Sequence, residues 1–171
     1  MHRRRVMLAG KSNFIYEWDY TSNIAPPKST YRSCTFNSDY AVIDALNLDP
    51  FPNHQYTRIE ITANLRSVRN NQYQLVILTA PLYGCKIYCT GGKLGFTAGF
   101  SQTTSYSIPD RFVKYSIEYQ NGIFYAYADD TLLATGVGAF SNYNTKQGIY
   151  NSEVLDSRVS SALIKRIKMV A

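Results

Sequence analysis

Residues 111–135, RFVKYSIEYQNGIFYAYADDTLLAT, constrain the fold more than any other stretch, because two alternating apolar runs are joined by Asn121-Gly122. Val113, Tyr115, Ile117 and Tyr119 fall on one face and Phe112, Lys114, Ser116 and Glu118 on the other. That is the period of two that a half-buried strand requires. A two-residue type I′ turn needs positive φ at both central positions. Glycine adopts it because no Cβ opposes it, and asparagine tolerates it better than most residues. The spacing therefore predicts a β-hairpin turning at 121–122. A second turn is expected at Asp129-Asp130-Thr131, between a strand over Ile123 to Ala128 and one over Leu132 to Thr135.

The same punctuation runs along the rest of the chain. Asn13 to Tyr20 reads as a strand with Phe14, Tyr16, Trp18 and Tyr20 on one face. From Tyr56, the residues Ile59, Ile61, Ala63 and Leu65 alternate with Arg58, Glu60, Thr62 and Asn64, which gives a strand with one wet face. Tyr73 to Thr79 is apolar on both faces from Leu75 to Leu78, so it is expected in the middle of a sheet, covered above and below. Lys86 to Thr90 and Lys93 to Ala98 flank Gly91-Gly92, a second two-residue hairpin signal. Ser105 to Ile108, Gln147 to Ser152 and Leu163 to Val170 complete the strands that the pattern picks out. Between 31 and 55 the pattern is loosest: Tyr31 to Asn37 reads as a strand, Ala41 to Leu46 as a short strand or a single helical turn, and Asp49-Pro50-Phe51-Pro52-Asn53 as a loop.

Short strands spaced at roughly ten residues, Gly, Asn, Asp and Pro at the turns, and no helical period point to an all-β fold, an antiparallel two-sheet sandwich. The 15 tyrosines and eight phenylalanines agree, since aromatic side chains favour sheets. At 171 residues one domain is expected, able to bury roughly two thirds of the surface of its unfolded chain. Residues 13–171 would form it, with residues 1–12 as a basic N-terminal arm.

The formal net charge is +6, and Arg3, Arg4 and Arg5 carry half of it, with Lys165, Arg166 and Lys168 clustered at the other end. A nucleic-acid binder spreads its cations along one face interleaved with stacking aromatics, so nucleic acid is not the expected partner. The arm is expected to be solvated or docked on a partner. No run reaches the about 20 apolar residues of a membrane span, and Val6 to Ala9 is shorter than the apolar segment of about 7 to 15 residues in a secretory leader. A soluble chain made in a cytoplasm is the expectation. Cys34, Cys85 and Cys89 lack CxxC spacing and read as reduced. Cys85 and Cys89 would stand ~13 Å apart in one strand, too far for a bridge; pairing with Cys34 across a hairpin stays open.

Catalytic constellations are scarce. Glu17-Trp18-Asp19 invites comparison with the E-x-D-x-E strand of one glucanase family, but Thr21 stands where the third acid would be. Carboxylates two apart in a strand are ~6.6 Å apart by rise alone, against the ~5 Å of a retaining glycosidase. These acids read as solvent-facing residues opposite the aromatic stripe, and Glu60, Glu118 and Glu153 have no partner visible in the sequence. His2 and His54 lie in no nucleophile context, and Gly91-Gly92-Lys93 lacks the rest of a phosphate-binding loop. No enzyme activity is expected. No cofactor is expected either; calcium is the one ion weighed, and the D-x-D-x-D-G spacing that would hold it is absent.

The order GGKLGF, FVKYSIEYQNG, IFYAYADDTLLAT, LIKRIKMV resembles the concanavalin A-like and laminin-G-like jelly rolls over residues 56–171. In that family the strand after the hairpin often ends in an Asp-Gly turn; Asp129-Asp130 sits there, with Asp130 in place of the glycine. The start MHRRRVML, followed by Trp-Asp-Tyr, is similar to small virion proteins of gut bacteriophages, including crAss-like phages. That resemblance implies a virion structural protein, a head decoration or a component of a head or tail fibre. On this reading the protein is non-enzymatic, Arg3, Arg4 and Arg5 dock on other virion proteins, and a tyrosine-rich surface packs against copies of itself as a homo-oligomer. The alternative is a lectin-like carbohydrate-binding module for a host surface glycan, and the second alternative an atypical glycoside hydrolase. For either contact, Tyr83, Tyr143 and Tyr150 in or beside loops, with Asp129, Asp130, Asn142 and Asn144 as polar partners, are the candidate groups. The loop at 136–147 is a recognition tip or a crossover between sheets.

Overall fold

The computed structural model describes residues 15–19, 21, 29–48, 57–65, 75–79, 86–90, 92–97, 101–137, 147–151 and 162–170, some of them by their backbone alone. They form β1 (Ile15–Asp19), β2 (Ser29–Phe36), β3 (Ala41–Leu48), β4 (Arg58–Asn64), β5 (Leu75–Thr79), β6 (Lys86–Thr90), β7 (Lys93–Thr97), β8 (Ser101–Ser107), β9 (Val113–Gln120), β10 (Ile123–Ala128), β11 (Thr131–Val137), β12 (Gln147–Asn151) and β13 (Ala162–Val170). The fold is an all-β antiparallel sandwich, as the turn spacing implies, and a jelly roll, as the resemblance implies.

The longest strand, β13, organises the first layer. Leu163 to Val170 pair with β4 along one edge, while the other edge is shared by β3 at its start and β1 at its end. Beyond β4 the layer continues through β9 and β10 to β11. β3 carries the chain into the second layer: Ala41 to Ile43 pair with β13, but Leu46 to Leu48 pair with β12. A strand whose two halves serve different sheets is how sandwiches turn a corner. From β12 the order runs β5, β6, β7, β8, with β2 on the far edge of β3. The ends of this order meet again, β11 lying against β8.

Each turn follows from its residues. Asn121 has φ 52° and Gly122 φ 80°, both positive as a type I′ turn demands. A Cβ added at Gly122 would meet nothing within 4 Å, so backbone strain alone favours glycine there. At the next hairpin Asp129 has φ 53°, whereas Asp130 is not among the residues with positive φ. Only the first central position is left-handed, so Asp130 needs none of the glycine's freedom. The Asp129 N–H donates to the Lys114 carbonyl at 2.7 Å and the Lys114 N–H donates back to Asp129 Oδ1 at 3.0 Å, which holds an aspartate in that conformation. Gly92, with φ 75°, ends the 91–92 turn as its spacing implies.

The core lies on the inner faces. Ile59 stands opposite Ile117 and Met169, and Ile61 opposite Tyr115 and Ile167; Ile59, Ile61, Tyr115, Ile117 and Ile167 are all at most 2% exposed. Leu94 and Phe96 of β7 and Ile108 after β8 bring in the second layer. Burying one such side chain contributes about 1.5–3 kcal/mol, and a one-residue slip of β4 would turn its whole apolar set outward.

Three details differ from expectation or settle an open choice. Ala41 to Leu48 is one strand and not a helical turn. β8 starts at Ser101, earlier than its apolar residues indicate, because SQTTSYS pairs with β7 through its backbone while Thr104 Oγ1 donates to the Leu94 carbonyl at 2.8 Å. Cys34 lies on β2 and Cys89 on β6, strands that are not neighbours, so the two share no hairpin; Cys85 lies outside the described residues, as do the arm at 1–12 and the loop at 49–53.

Candidate functional site: the outer face of the first layer

The residues that alternate with the core of β4 face outward, and the register aligns them with outward residues of neighbouring strands. One row runs Val170, Arg58, Glu118, Tyr125, Thr135 and the next Glu17, Lys168, Glu60, Ser116, Tyr127, Leu132. Charge is concentrated on β1, β13, β4 and β9, and aromatic surface on β10.

Arg58 is the centre of this face. Its Nη2 lies 2.7 Å from Glu60 Oε1 on its own strand, and its Nη1 pairs with Glu118 Oε1 directly across on β9. Two residues apart on one strand and opposite on the next are the two positions from which carboxylates reach the two ends of one guanidinium fork. The Glu60 side chain is only 15% exposed, so the pair is partly desolvated and stronger than a pair on open surface. Tyr125 stands opposite Glu118 and Tyr127 opposite Ser116 on β10. Partial burial holds the Tyr127 phenol above its ordinary pKa, with the Glu118 charge and Tyr125 adding to it, so Tyr127 is a neutral donor over the physiological range. Two polar atoms at the floor of these rows have no hydrogen-bond partner: Arg58 Nε and Ser116 Oγ, the latter on a residue that is 0% exposed.

The face thus joins two carboxylates that the sequence left unpartnered, and corrects that expectation: Glu60 and Glu118 share Arg58. β4 and β9 are separated by most of the second layer in sequence, so no local pattern shows that they are neighbours. The alternation that put Arg58 and Glu60 on the wet face of β4, and Glu118 on that of β9, was the available half of the signal. Glu153 lies outside the described residues.

Glu17 and Asp19 lie on the same face in register with Lys168 and Arg166. Glu17 Oε1 pairs with Arg166 at 3.1 Å, and Asp19 Oδ1 accepts from the Thr21 N–H at 2.9 Å and its hydroxyl at 2.6 Å. Asp19 is exposed and Glu17 half-buried; both serve the edge of the layer.

A second polar cluster lies at the 129–130 turn. Asp129 pairs with Arg111 at 2.9 Å and Asp130 with Lys114 at 2.8 Å. Burial pushes the Asp129 carboxyl up, but the Lys114 N–H and the Arg111 guanidinium outweigh it and hold the pKa below its ordinary value. Asp130, through its hydrogen bond, raises the pKa of Lys114, and Asp129 raises that of Arg111. Of the residues expected to contact a glycan or partner, Asp129 and Asp130 are thus engaged in holding the turn. Tyr150 lies on β12 opposite Val76, its side chain outside the described residues; Tyr83, Asn142, Tyr143, Asn144, Arg3, Arg4 and Arg5 lie wholly outside them. Among the described residues no three His, Cys, Asp or Glu side chains converge as metal ligands would.

No protein-family model matches this chain, and no curated protein is similar to it in sequence. Solved structures are similar in fold. Domain 4 of an extracellular GH43 arabinanase from Geobacillus stearothermophilus, solved in complex with arabinotriose, aligns over 90% of both chains with a TM-score of 0.63 and 11% identity. The apo Crh5 transglycosylase aligns over 91% of this chain and 83% of its own, with a TM-score of 0.57 and 11% identity. A Bacillus licheniformis β-glucanase aligns over 94% and 99%, with a TM-score of 0.55 and 12% identity. The likeness establishes a jelly-roll sandwich of the kind on which glycoside hydrolases and transglycosylases are built.

Two expectations change. The exclusion of enzyme activity does not stand: the structures of similar fold include glycoside hydrolases and a transglycosylase, and two carboxylates, Glu60 and Glu118, come together at Arg58. The ranking of a virion role above carbohydrate recognition is reversed as well. None of these three structures is a virion protein, and the likeness of MHRRRVML to phage proteins rests on the sequence alone.

Proposed function

We propose that this protein recognises carbohydrate on the outer face of its first layer, with the sugar lying across β4, β9 and β10. The observation that carries the reading is Arg58 held between Glu60 and Glu118 beside Tyr125 and Tyr127. A sugar ring presents an apolar C–H face and a rim of hydroxyls that both donate and accept. Tyrosine rings cover the first; a guanidinium donates to the second and carboxylates accept from it. The fold supports the reading, since domain 4 of the arabinanase was solved with an oligosaccharide and a glucanase and a transglycosylase share the architecture.

Binding to a panel of oligosaccharides tests it. Tyr127→Ala should weaken binding by about tenfold or more, as loss of an aromatic anchor costs more than 1 kcal/mol, and Glu118→Gln should weaken it with little change in melting temperature. Unaltered affinity in both variants would remove the site from this face.

One observation favours a second reading, cleavage or transfer of a glycosidic bond. Glu60 and Glu118 meet on one guanidinium, in a fold shared with a glucanase and a transglycosylase. Release of reducing ends from a polysaccharide, lost in both Glu60→Gln and Glu118→Gln, would support it; release that survives either change would exclude this pair as its source.

A further inference from the structure

The chain as a whole is basic, +6 at neutral pH, and a basic carbohydrate-binding protein is ordinarily expected to take acidic polymers. The proposed site has a different balance. Among the described residues of the outer face, the cations are Arg58, Lys114, Lys165, Arg166 and Lys168, and the acids are Glu17, Asp19, Glu60, Glu118 and the Asp130 beside Lys114, five of each. Three of these cations are in ion pairs. Arg58 is shared by two carboxylates, Arg166 is paired with Glu17 and Lys114 with Asp130. Lys168 stands in register between Glu17 and Glu60.

From this we infer that the face selects uncharged sugars over acidic ones, an inference that rests on the carbohydrate reading above. A uronate or sulfate brought to Arg58 meets Glu60 and Glu118 first, and like charges at contact distance in a partly desolvated site disfavour it. Stripping the arginine from its acids would leave two half-buried carboxylates uncompensated. A neutral hydroxyl meets no such opposition. Two atoms of the floor have no partner: Arg58 Nε is a donor and Ser116 Oγ both donates and accepts. A sugar hydroxyl that reached either atom would satisfy it. Ser116 is then a contact residue at the bottom of the site, and half of the net charge of the chain is carried by Arg3, Arg4 and Arg5.

The test compares a neutral polysaccharide, such as an arabinan or β-glucan, with a uronate polymer and a sulfated one. It uses the full-length protein and its Arg3→Ala, Arg4→Ala, Arg5→Ala triple variant, from about 20 mM to about 300 mM salt, a range over which exposed charges become largely screened. The expected result is binding to the neutral polymer that changes less than about twofold with salt and is the same in both proteins, while any binding to acidic polymers falls with salt and disappears in the triple variant. Salt-resistant preference for an acidic polymer in the triple variant would overturn the inference and leave the carbohydrate reading intact. Binding to none of the three would overturn the carbohydrate reading itself. Ser116→Ala sharpens the assignment: it removes a buried hydroxyl that has no partner, so the fold should lose nothing, while affinity for the neutral polymer falls about tenfold, the worth of one hydrogen bond. Unchanged affinity there would take Ser116 out of the site.

Discussion

The two faces of the β4–β9 pair use the same backbone register for opposite purposes. Inward, Ile59 meets Ile117 and Ile61 meets Tyr115, all but sealed from solvent. Outward, one residue along, Arg58 meets Glu118 and Glu60 meets Ser116. The inner rows hold the layers together by burial, which is large for each side chain and indifferent to partner detail. The outer rows hold polar groups at fixed spacing, which contributes little to stability but presents a defined set of donors, acceptors and rings. On the proposed function, separate faces let the outer one be specialised for recognition while the inner one carries the fold.

This contrast breaks most visibly through the core. Ile61→Ala should lower the unfolding free energy by about 2–5 kcal/mol, through lost burial and the cavity left behind, and a denaturant melt measures it; the outward Glu118→Gln, whose acid is 29% exposed, should cost under about 1 kcal/mol in the same assay. Comparable losses from both would erase the distinction between the faces. Next in size is the hairpin that joins β9 to β10. Gly122→Ala, at φ 80° with open space around the position, should cost about 1–2 kcal/mol from backbone strain with no clash. Asn121→Gly should be tolerated. If alanine at 122 costs nothing, the type I′ turn is not what fixes the register of the outer rows.

The smallest effect is set by pH at the 129–130 turn. The Asp129 carboxyl titrates below its ordinary value of 3.8 in the folded protein. Its contribution is therefore complete at pH values above the unfolded pKa and is lost as the pH falls through the folded one. With a side chain 44% exposed the contribution is at most about 1 kcal/mol. Asp129→Asn should flatten the acid limb of the stability profile below about pH 4 by that amount, and an unchanged limb would show that the Arg111 pair contributes nothing.

How much of this could be read in advance follows from sequence separation. The turns at 91–92 and 121–122 were legible because a two-residue hairpin is a local object. Its glycines and the flanking alternation lie within one window. The wet face of β4 was legible for the same reason, down to Arg58 and Glu60. Their meeting with Glu118 was not, because it depends on β4 lying beside β9, and four strands intervene between them in the chain. Glu17 and Asp19 drew notice as neighbours in sequence, yet each is held at the layer edge by Arg166 or by Thr21. The Asp129-Asp130 turn was located correctly, but its pairing with Arg111 and Lys114 was not legible, since it depends on the start of the β9 region lying beside the turn. The polar opening of β8 lacked any apolar alternation, since its pairing is made by backbone and by the one buried hydroxyl of Thr104.

A titration of the isotope-labelled protein with a neutral oligosaccharide, followed by backbone and side-chain NMR shifts, separates the sheet face from the loop tips. The outer face as binding site requires the largest saturable shifts at Arg58, Glu60, Ser116, Glu118, Tyr125 and Tyr127, with the Asp129-Asp130 turn and the inward rows little changed. Shifts confined to that turn and to residues 138–146, with Arg58 and Tyr127 unmoved, would contradict it.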